Sequence, residues 1–312
     1  MFAYIIKRLL WIIPVLIGVS IILFGIMLLV PGDPAAIMLG TNVTPEAVEA
    51  LNEKFGFNEP VHTRYFLMLK NFLNGELESI YYKDKVINII SSRLYATIEL
   101  GTFSLIIAVI IAIPTGVIAA VKKNSIFDLI SMFIATIGIS VPAFFTGLIF
   151  IYLFSVYFKI FPSSGYGGPF WTADGLSHLI LPAFALSTVM IASTSRLTRS
   201  AMLDIMKEDY LVTARSKGVK EKIVVLKHAF RNALIPIITN IGNQLAMMFG
   251  GAILIESVFA WPGVGRLAVK AVEFRDQPLV FGSILILSFI YVLVNLFVDL
   301  LYGFINPRIT YK

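Results

Sequence analysis

The residue types that usually do chemistry in proteins are few and scattered in this chain. Cysteine is absent, and the three histidines, His62, His178 and His228, are far apart. No two of them have the spacing of metal ligands on one helix, and there is no thiol nucleophile, so the sequence predicts no metal site and no covalent catalysis. Phosphate-loop, metalloprotease and serine-hydrolase motifs are also missing from the sequence. The sequence therefore points to non-covalent interactions, namely hydrogen bonds, ion pairs and contacts with partners.

The most polar stretch for such contacts is the segment 199–231. Its distinctive residues, in chain order, are Glu208, Asp209, Tyr210, Thr213, Ala214 and Gly218. Glycine adopts a left-handed conformation at little cost, so a helix–turn–helix with its turn at Gly218 is predicted. A short helix of this kind suits insertion into a groove on a soluble partner, and it equally suits a position on anionic lipid. The residues themselves favour neither reading.

The elements that position this segment are apolar. The 312 residues are 58% hydrophobic and 14% charged, whereas soluble domains are about 45–50% apolar and about 25% charged. A membrane-spanning helix needs about 20 apolar residues. Six runs meet that need: Leu9–Val30, Leu100–Val121, Leu129–Phe158, Gly175–Ser195, Asn232–Ile255 and Gln277–Val298. The sequence therefore predicts an all-α integral membrane protein with six transmembrane helices, and the first run is read as a retained helix rather than a cleaved signal.

Lysine and arginine in the short loops predict the orientation. Nine of them lie between Arg196 and Arg231, and others flank both termini and the loop at Lys122 and Lys123. Short loops rich in positive charge stay on the cytoplasmic side. Both termini are therefore predicted to be cytoplasmic. The net charge of +6 is read as this loop bias and not as nucleic-acid binding.

The chain is predicted to have three parts. Residues 1–30 form an N-terminal transmembrane helix, 31–95 an external helical segment, and 96–312 the transmembrane core. Within the external segment, Thr44-Pro45-Glu46 is a helix start, and Gly56 can end that helix. A second helix is predicted from Pro60 to Asn74. This segment is either a spacer or a surface for a partner or vestibule.

Two features of the spans bear on transport. Pro142 interrupts the third span after Ser140, which predicts a kink that can border a cavity or serve packing alone. The cores of the six spans lack Asp, Glu, Lys and Arg. Glu99, Glu256 and Asp299 stand at span borders, where solvation at the interface is expected. A proton- or sodium-driven pump usually needs an intramembrane acid, so the energy for any pumping is expected from a partner.

Several motifs together resemble one family. In chain order they are Pro31–Pro34, Thr97–Gly101, Ser140–Pro142, Glu208–Tyr210, Thr213–Gly218, His228–Pro236, Trp261–Arg266, Val298–Gly303 and Asn306–Arg308. They are similar to motifs of ABC-importer permeases in the dipeptide/oligopeptide/nickel branch, and to the first permease of such systems in particular. Val212-Thr213-Ala214 stands where Glu-Ala-Ala is expected in the coupling loop. Gly75–Glu78 departs from the more usual Gly-Asp-Leu-Gly.

The resemblance implies a type I ABC-importer fold in the bacterial inner (cytoplasmic) membrane. It implies a homologous second permease, two cytoplasmic ATPases that hold ATP and Mg, and an external substrate-binding protein. The chain itself is then a non-catalytic transport subunit without a cofactor. Glu208, Asp209, Tyr210, Thr213, Ala214 and Gly218 become the ATPase-coupling loop.

Spans two to six are implied to line the path, with Ser140, Pro142, Asn240, Asn243 and Gln244 as its candidate polar residues. Neutral hydrogen bonding along such a path suits zwitterionic peptides, and the breadth of the family also favours di- or oligopeptides as cargo. Nickel, as ion or chelate, and glutathione are the alternatives within the branch. A self-contained secondary transporter is the alternative from another class, and neither a buried relay nor an inverted repeat supports it.

Overall fold

In a computed structural model, residues 2–29, 44–56 and 58–305 are described. Within these ranges the chain is helical, apart from turns and one isolated antiparallel bridge between Glu78 and Lys85. The predicted all-α fold is therefore confirmed. The motifs Pro31–Pro34 and Asn306–Arg308 lie outside the described residues.

The helices, in chain order, are α1 Phe2–Leu28, α2 Pro45–Phe55, α3 Val61–Leu73, α4 Val86–Val121, α5 Ile126–Ser140, α6 Ala143–Phe150, α7 Ala173–Ile205, α8 Asp209–Ser216, α9 Glu221–Ile223, α10 Phe230–Val258, α11 Val264–Glu273 and α12 Gln277–Ile305. Two π-helical segments, Ile151–Tyr157 and Val224–Ala229, follow α6 and α9. Helices α2 and α3 match the two predicted in the external segment, and Gly56 ends α2 with a φ of 66°.

Among the described residues, four helices are long and apolar enough to cross a membrane: Leu9–Leu28, Val86–Val121, Ala173–Ile205 and Gln277–Val298. Two further candidates are bent pairs. Ile126–Ser140 and Ala143–Tyr157 meet at 109°, and Glu221–Met248 and Gly250–Val258 meet at 53°. Counting each bent pair as one span gives up to six, in line with the six predicted apolar runs.

The first bend lies at the predicted proline. Val141 is extended, with φ −95° and ψ 126°, and Pro142 precedes the first residue of α6. A residue before proline is pushed away from the helical region because the proline ring crowds its backbone. The kink expected from Ser140-Val141-Pro142 is confirmed, and it divides the third span into α5 and α6.

The described chain divides into two compact units. The first comprises Met1–Thr97 and Pro262–Leu293. Its core gathers buried side chains from α1, α4, α11 and α12, among them Met27, Ile90 and Leu267. Helix α3 packs on α1, where the hydroxyl groups of Tyr65 and Ser20 lie 2.8 Å apart.

Asp276 organises part of this first unit, although it is fully buried. One carboxylate oxygen accepts hydrogen bonds from the Ser79 hydroxyl at 2.5 Å and the Tyr81 amide at 3.0 Å. The other accepts from the Leu279 amide at 3.1 Å, which caps the start of α12. Buried carboxylates are rarely tolerated without partners, so this one fixes the turn after α3 to the start of α12.

The second unit comprises Ile98–Trp261 and Val294–Lys312. Helix α7 is its centre, because α5, α6 and α10 all pack against it. Helix α6 also packs on α10. At the end of α7 that leads into the segment 199–231, α4, α7, α8 and α10 share one buried cluster that includes Val117, Met202, Leu211 and Ile237.

Helix α4 begins well before the predicted second span, which changes the interpretation of Glu99. The run Leu100–Val121 is the apolar part of α4, which begins at Val86. Glu99 therefore lies inside a helix and is 5% exposed, while Glu256 in α10 is fully buried. The prediction that the side chains of Glu99 and Glu256 are solvated at the membrane interface is therefore wrong. The Glu99 carboxylate accepts a hydrogen bond of 2.7 Å from the Phe170 amide, which fastens the loop before α7.

Candidate coupling loop and translocation path

Helix α8 contains most of the residues predicted to couple the chain to a partner. Glu208 immediately precedes the helix in an extended conformation, and Asp209 supplies an acid to its first turn. An acid at a helix N-terminus is favourable because of the helix dipole. The Thr213 hydroxyl donates to the Asp209 carbonyl at 3.1 Å. Glu208, Asp209 and Thr213 are all exposed, so they are accessible to a partner.

Leu211 anchors α8 to the rest of the second unit. Its side chain is fully buried, in the same cluster as Met202 of α7 and Val225 of the π-helical segment. Ala214, one turn later, packs against this cluster. A short helix of this length is unstable by itself, so its position depends on such packing.

Tyr210 joins α8 to the beginning of α10. The Asn232 side-chain amide donates a hydrogen bond of 2.7 Å to the Tyr210 hydroxyl. The Tyr210 ring is 42% exposed, so the residue faces outward while its hydroxyl is held. The predicted coupling residue thus makes a direct contact with the fifth predicted span.

The turn after α8 has the geometry predicted for Gly218. Its φ is 75°, in the left-handed region. The Gly218 amide donates to the Arg215 carbonyl at 2.9 Å, and the Val219 amide donates to the Ala214 carbonyl at 3.3 Å. This pair of bonds is the Schellman arrangement that ends helices at a left-handed residue.

An ion pair closes the same turn. The Arg215 guanidinium donates two hydrogen bonds to the Glu221 carboxylate, of 3.1 and 2.9 Å. These bonds raise the pKa of Arg215, so its charge persists at any physiological pH. Arg215 and Glu221 are both on the partly exposed side of the loop, and the pair holds α8 beside α9.

Several apolar side chains of this loop are exposed. Val212 is 53% exposed, and Tyr210, Ile223 and Leu226 are exposed as well. Exposed apolar side chains on a short helix are the groups with which such a helix can enter a groove on a partner.

The structure brings together only some of the residues predicted for the path. The Gln244 amide donates to the Ser193 hydroxyl at 2.8 Å, and the Asn240 amide donates to the Thr194 hydroxyl at 3.1 Å. These bonds join α10 to α7. Asn243 lies on the same helix but is exposed.

Ser140 and Pro142 lie apart from that polar cluster, at the bend between α5 and α6. Both are exposed, and the Ser140 hydroxyl donates to the carbonyl of Thr136 in its own helix at 2.9 Å. Beside this bend is a nearly apolar cavity of about 570 Å³. It is lined by α4, α5, α6 and α7, and Val141 is among its lining residues. Pro142 itself is not among the lining residues, so the choice between a cavity and simple packing at this bend stays a prediction.

Ser193 and Thr194 were not predicted as site residues. They lie in a run of small polar residues in α7, and only the position of Asn240 and Gln244 in space distinguishes them from other serines and threonines. Such a contact joins residues that are far apart in the chain, so no local pattern marks it.

Two family models match the chain. The model described as "Binding-protein-dependent transport system inner membrane component" matches residues 112–311. The model of the N-terminal part of such membrane components matches residues 1–101. Together they cover both the candidate path and the external segment.

Two relatives match over the full length. The chain is 41% identical to the dipeptide transport system permease protein DppB of Alkalihalophilus pseudofirmus, and the alignment covers 100% of both. It is also 41% identical to the glutathione transport system permease protein GsiC of Escherichia coli K12, again over 100% of both.

Two solved structures have a similar fold. The inward-facing MetNI methionine ABC transporter gives a TM-score of 0.55 at 16% identity, with 70% of this chain and 97% of that chain covered. An amino acid ABC transporter solved with histidines gives 0.51 at 19% identity, with 72% and 95% covered. At these identities the likeness concerns the fold.

Proposed function

We propose that this chain, which belongs to the family of binding-protein-dependent transport system inner membrane components, carries di- or oligopeptides across the membrane. As a member of that family it is a multi-pass permease subunit of an ABC importer in the inner membrane. It works with other components of such a transporter. The cargo, the specific partners and the roles of individual residues are the parts that we propose.

The partners follow from the way such a subunit must be powered. The chain pairs with a homologous second permease, two ABC ATPases below it and a substrate-binding protein outside. ATP and Mg are bound by the ATPases, and this chain is non-catalytic. The exposed apolar side chains of the segment 199–231 support ATPase docking. Residues 1–30, 31–95 and 96–312 serve as the first span, the external segment and the transport core.

The observation that carries the peptide proposal is the neutral polar cluster between α7 and α10. Gln244 and Asn240 present amide groups to Ser193 and Thr194, and no charged side chain takes part in these hydrogen bonds. Amides and hydroxyls can replace water around peptide groups and charged termini without creating a deep trap. The dipeptide and glutathione relatives, at equal identity, support cargo with peptide bonds.

Uptake by the reconstituted complex tests the cargo. The complete transporter in proteoliposomes, supplied with its own binding protein and internal ATP, should accumulate radiolabelled dipeptide in a saturable way. An excess of mixed di- and oligopeptides should compete. Saturable uptake of nickel or of its chelate that peptides do not reduce would overturn the peptide assignment. Competition by glutathione alone would narrow the cargo to that tripeptide.

A matched pair of variants tests the polar cluster. Gln244→Met keeps the length of the side chain but removes its amide, and peptide uptake should fall several-fold, since a lost hydrogen bond is worth about 1 kcal/mol. Met247→Leu, at an exposed position of the same helix, should leave uptake unchanged. Equal uptake by the two variants would remove Gln244 from the path. Co-purification of two ATPases would at the same time exclude a self-contained secondary transporter.

A further inference from the structure

A bidentate ion pair joins the beginning of α5 to the end of α7. The Arg199 guanidinium donates to the two carboxylate oxygens of Asp128, at 2.5 Å from Nε and 2.7 Å from an Nη nitrogen. The Asp128 residue is 1% exposed. A fork of two parallel hydrogen bonds fixes the orientation of both side chains, which a single contact does not.

Asp128 also shapes the turn that precedes α5. Its carboxylate accepts a hydrogen bond of 2.9 Å from the Asn124 amide, and its own amide donates to the Ser125 hydroxyl at 3.3 Å. Asn124 has a φ of 62°, a conformation that asparagine tolerates better than most residues. One carboxylate thus orients the start of α5 and attaches it to α7.

The same stretch of α7 contacts two other elements. A Cβ on Gly116 of α4 would lie 2.5 Å from the Cβ of Thr198, so the two helices touch there without room for a side chain. Met202, one turn beyond Thr198, lies in the buried cluster that also holds Leu211 of α8. Close contacts therefore lead from α8 through α7 to both α4 and α5.

We propose that Asp128 and Arg199 are a positioning pair that makes α5 move with α7 when α8 is displaced. The proposal rests on the proposed function, because it takes α8 as the element that an ATPase moves. Helices α5 and α7 both line the 570 Å³ cavity beside the Pro142 bend. A rigid link at their cytoplasmic ends transmits a displacement of α8 to that cavity, since packed elements move as units and do not deform continuously.

If the ion pair links α5 to α7, the distance between these two helices should stay constant during transport. The chain has no cysteine, so spin labels can be placed at Phe133→Cys on α5 and Arg196→Cys on α7, both exposed. In the complete reconstituted transporter the distance between the labels should be the same with and without ATP. In Asp128→Asn/Arg199→Gln it should change when ATP binds. Substrate transported per ATP hydrolysed should then fall by about tenfold, with hydrolysis itself retained.

The control removes an exposed charge from the other end of α7, away from the segment 199–231. Asp174 and His178 are 3.4 Å apart and the Asp174 side chain is largely exposed, so Asp174→Asn should alter neither readout. Arg199→Lys keeps the charge and loses the fork, and its transport per ATP should be reduced too. This variant keeps the test valid if the double variant does not assemble.

The outcomes separate this proposal from the proposed function. A label distance that changes with ATP in the otherwise native chain would overturn the link. Native transport per ATP in the double variant or in Arg199→Lys would also overturn it. The distance measurement needs no cargo, so absence of peptide uptake by the native complex would count against the peptide proposal alone.

Discussion

The turn at Gly218 gives the most direct test of the coupling loop. Its φ is 75°, and a Cβ built there meets no atom within 4 Å. Any cost of a side chain therefore comes from the backbone conformation and not from a clash. For a residue other than glycine or asparagine the left-handed region costs about 1–2 kcal/mol. Gly218→Val should weaken the Schellman turn by that amount, a factor of about 5–30 in its population.

Gly218→Asn is the matched control, because asparagine tolerates this conformation while adding a side chain of similar bulk. Both variants should insert and assemble with their partners. Uptake and substrate-stimulated ATP hydrolysis by the reconstituted complex should fall in Gly218→Val and stay near the native rates in Gly218→Asn. Equal rates in the two variants would show that the left-handed turn is not needed for coupling.

Three further predictions concern topology and packing. A cysteine at exposed Ser164 should react with an impermeant thiol reagent added outside intact cells, and one at Lys217 should not; the reverse result would invert the orientation. Gly116→Val should reduce the free energy of unfolding by about 1–3 kcal/mol through overpacking and so lower the thermal unfolding midpoint of the solubilised complex, whereas Gly18→Val, with nothing within 4 Å, should leave the midpoint unchanged. Asp276→Ala leaves three donors without their acceptor and should reduce the free energy of unfolding by about 1–3 kcal/mol or more, which lowers the same midpoint. An unchanged midpoint would mean that water replaces the carboxylate.

Local signals in the sequence predicted local structure well. The start of α2 and the turns at Gly56 and Gly218 follow from caps, prolines and glycines, whose conformational preferences act within a few residues. The bend at Pro142 has the same origin. The apolar runs located the spans because burial in lipid requires a long continuous stretch.

Contacts between distant segments were not predictable in this way. No local pattern marks Asp128, Arg199 or Asp276, because the side chains that pair with theirs are 71 to 197 residues away. Hydropathy also did not show that the helix of the second span begins before its apolar run, since the first turns of α4 carry Ser91, Ser92 and Arg93. For this reason Glu99 was taken for a border residue although it is buried in the helix.

The two π-helical segments have a consequence for how such chains can vary in length. A π turn contains one residue more than an α turn, so removing one residue from Val224–Ala229 can restore regular α-helix without rotating α10. The same holds for Ile151–Tyr157 after α6. Single-residue gains and losses during divergence are therefore expected to collect at these two places. Elsewhere in the spans, one added residue would turn every following side chain by about 100° and expose the wrong face.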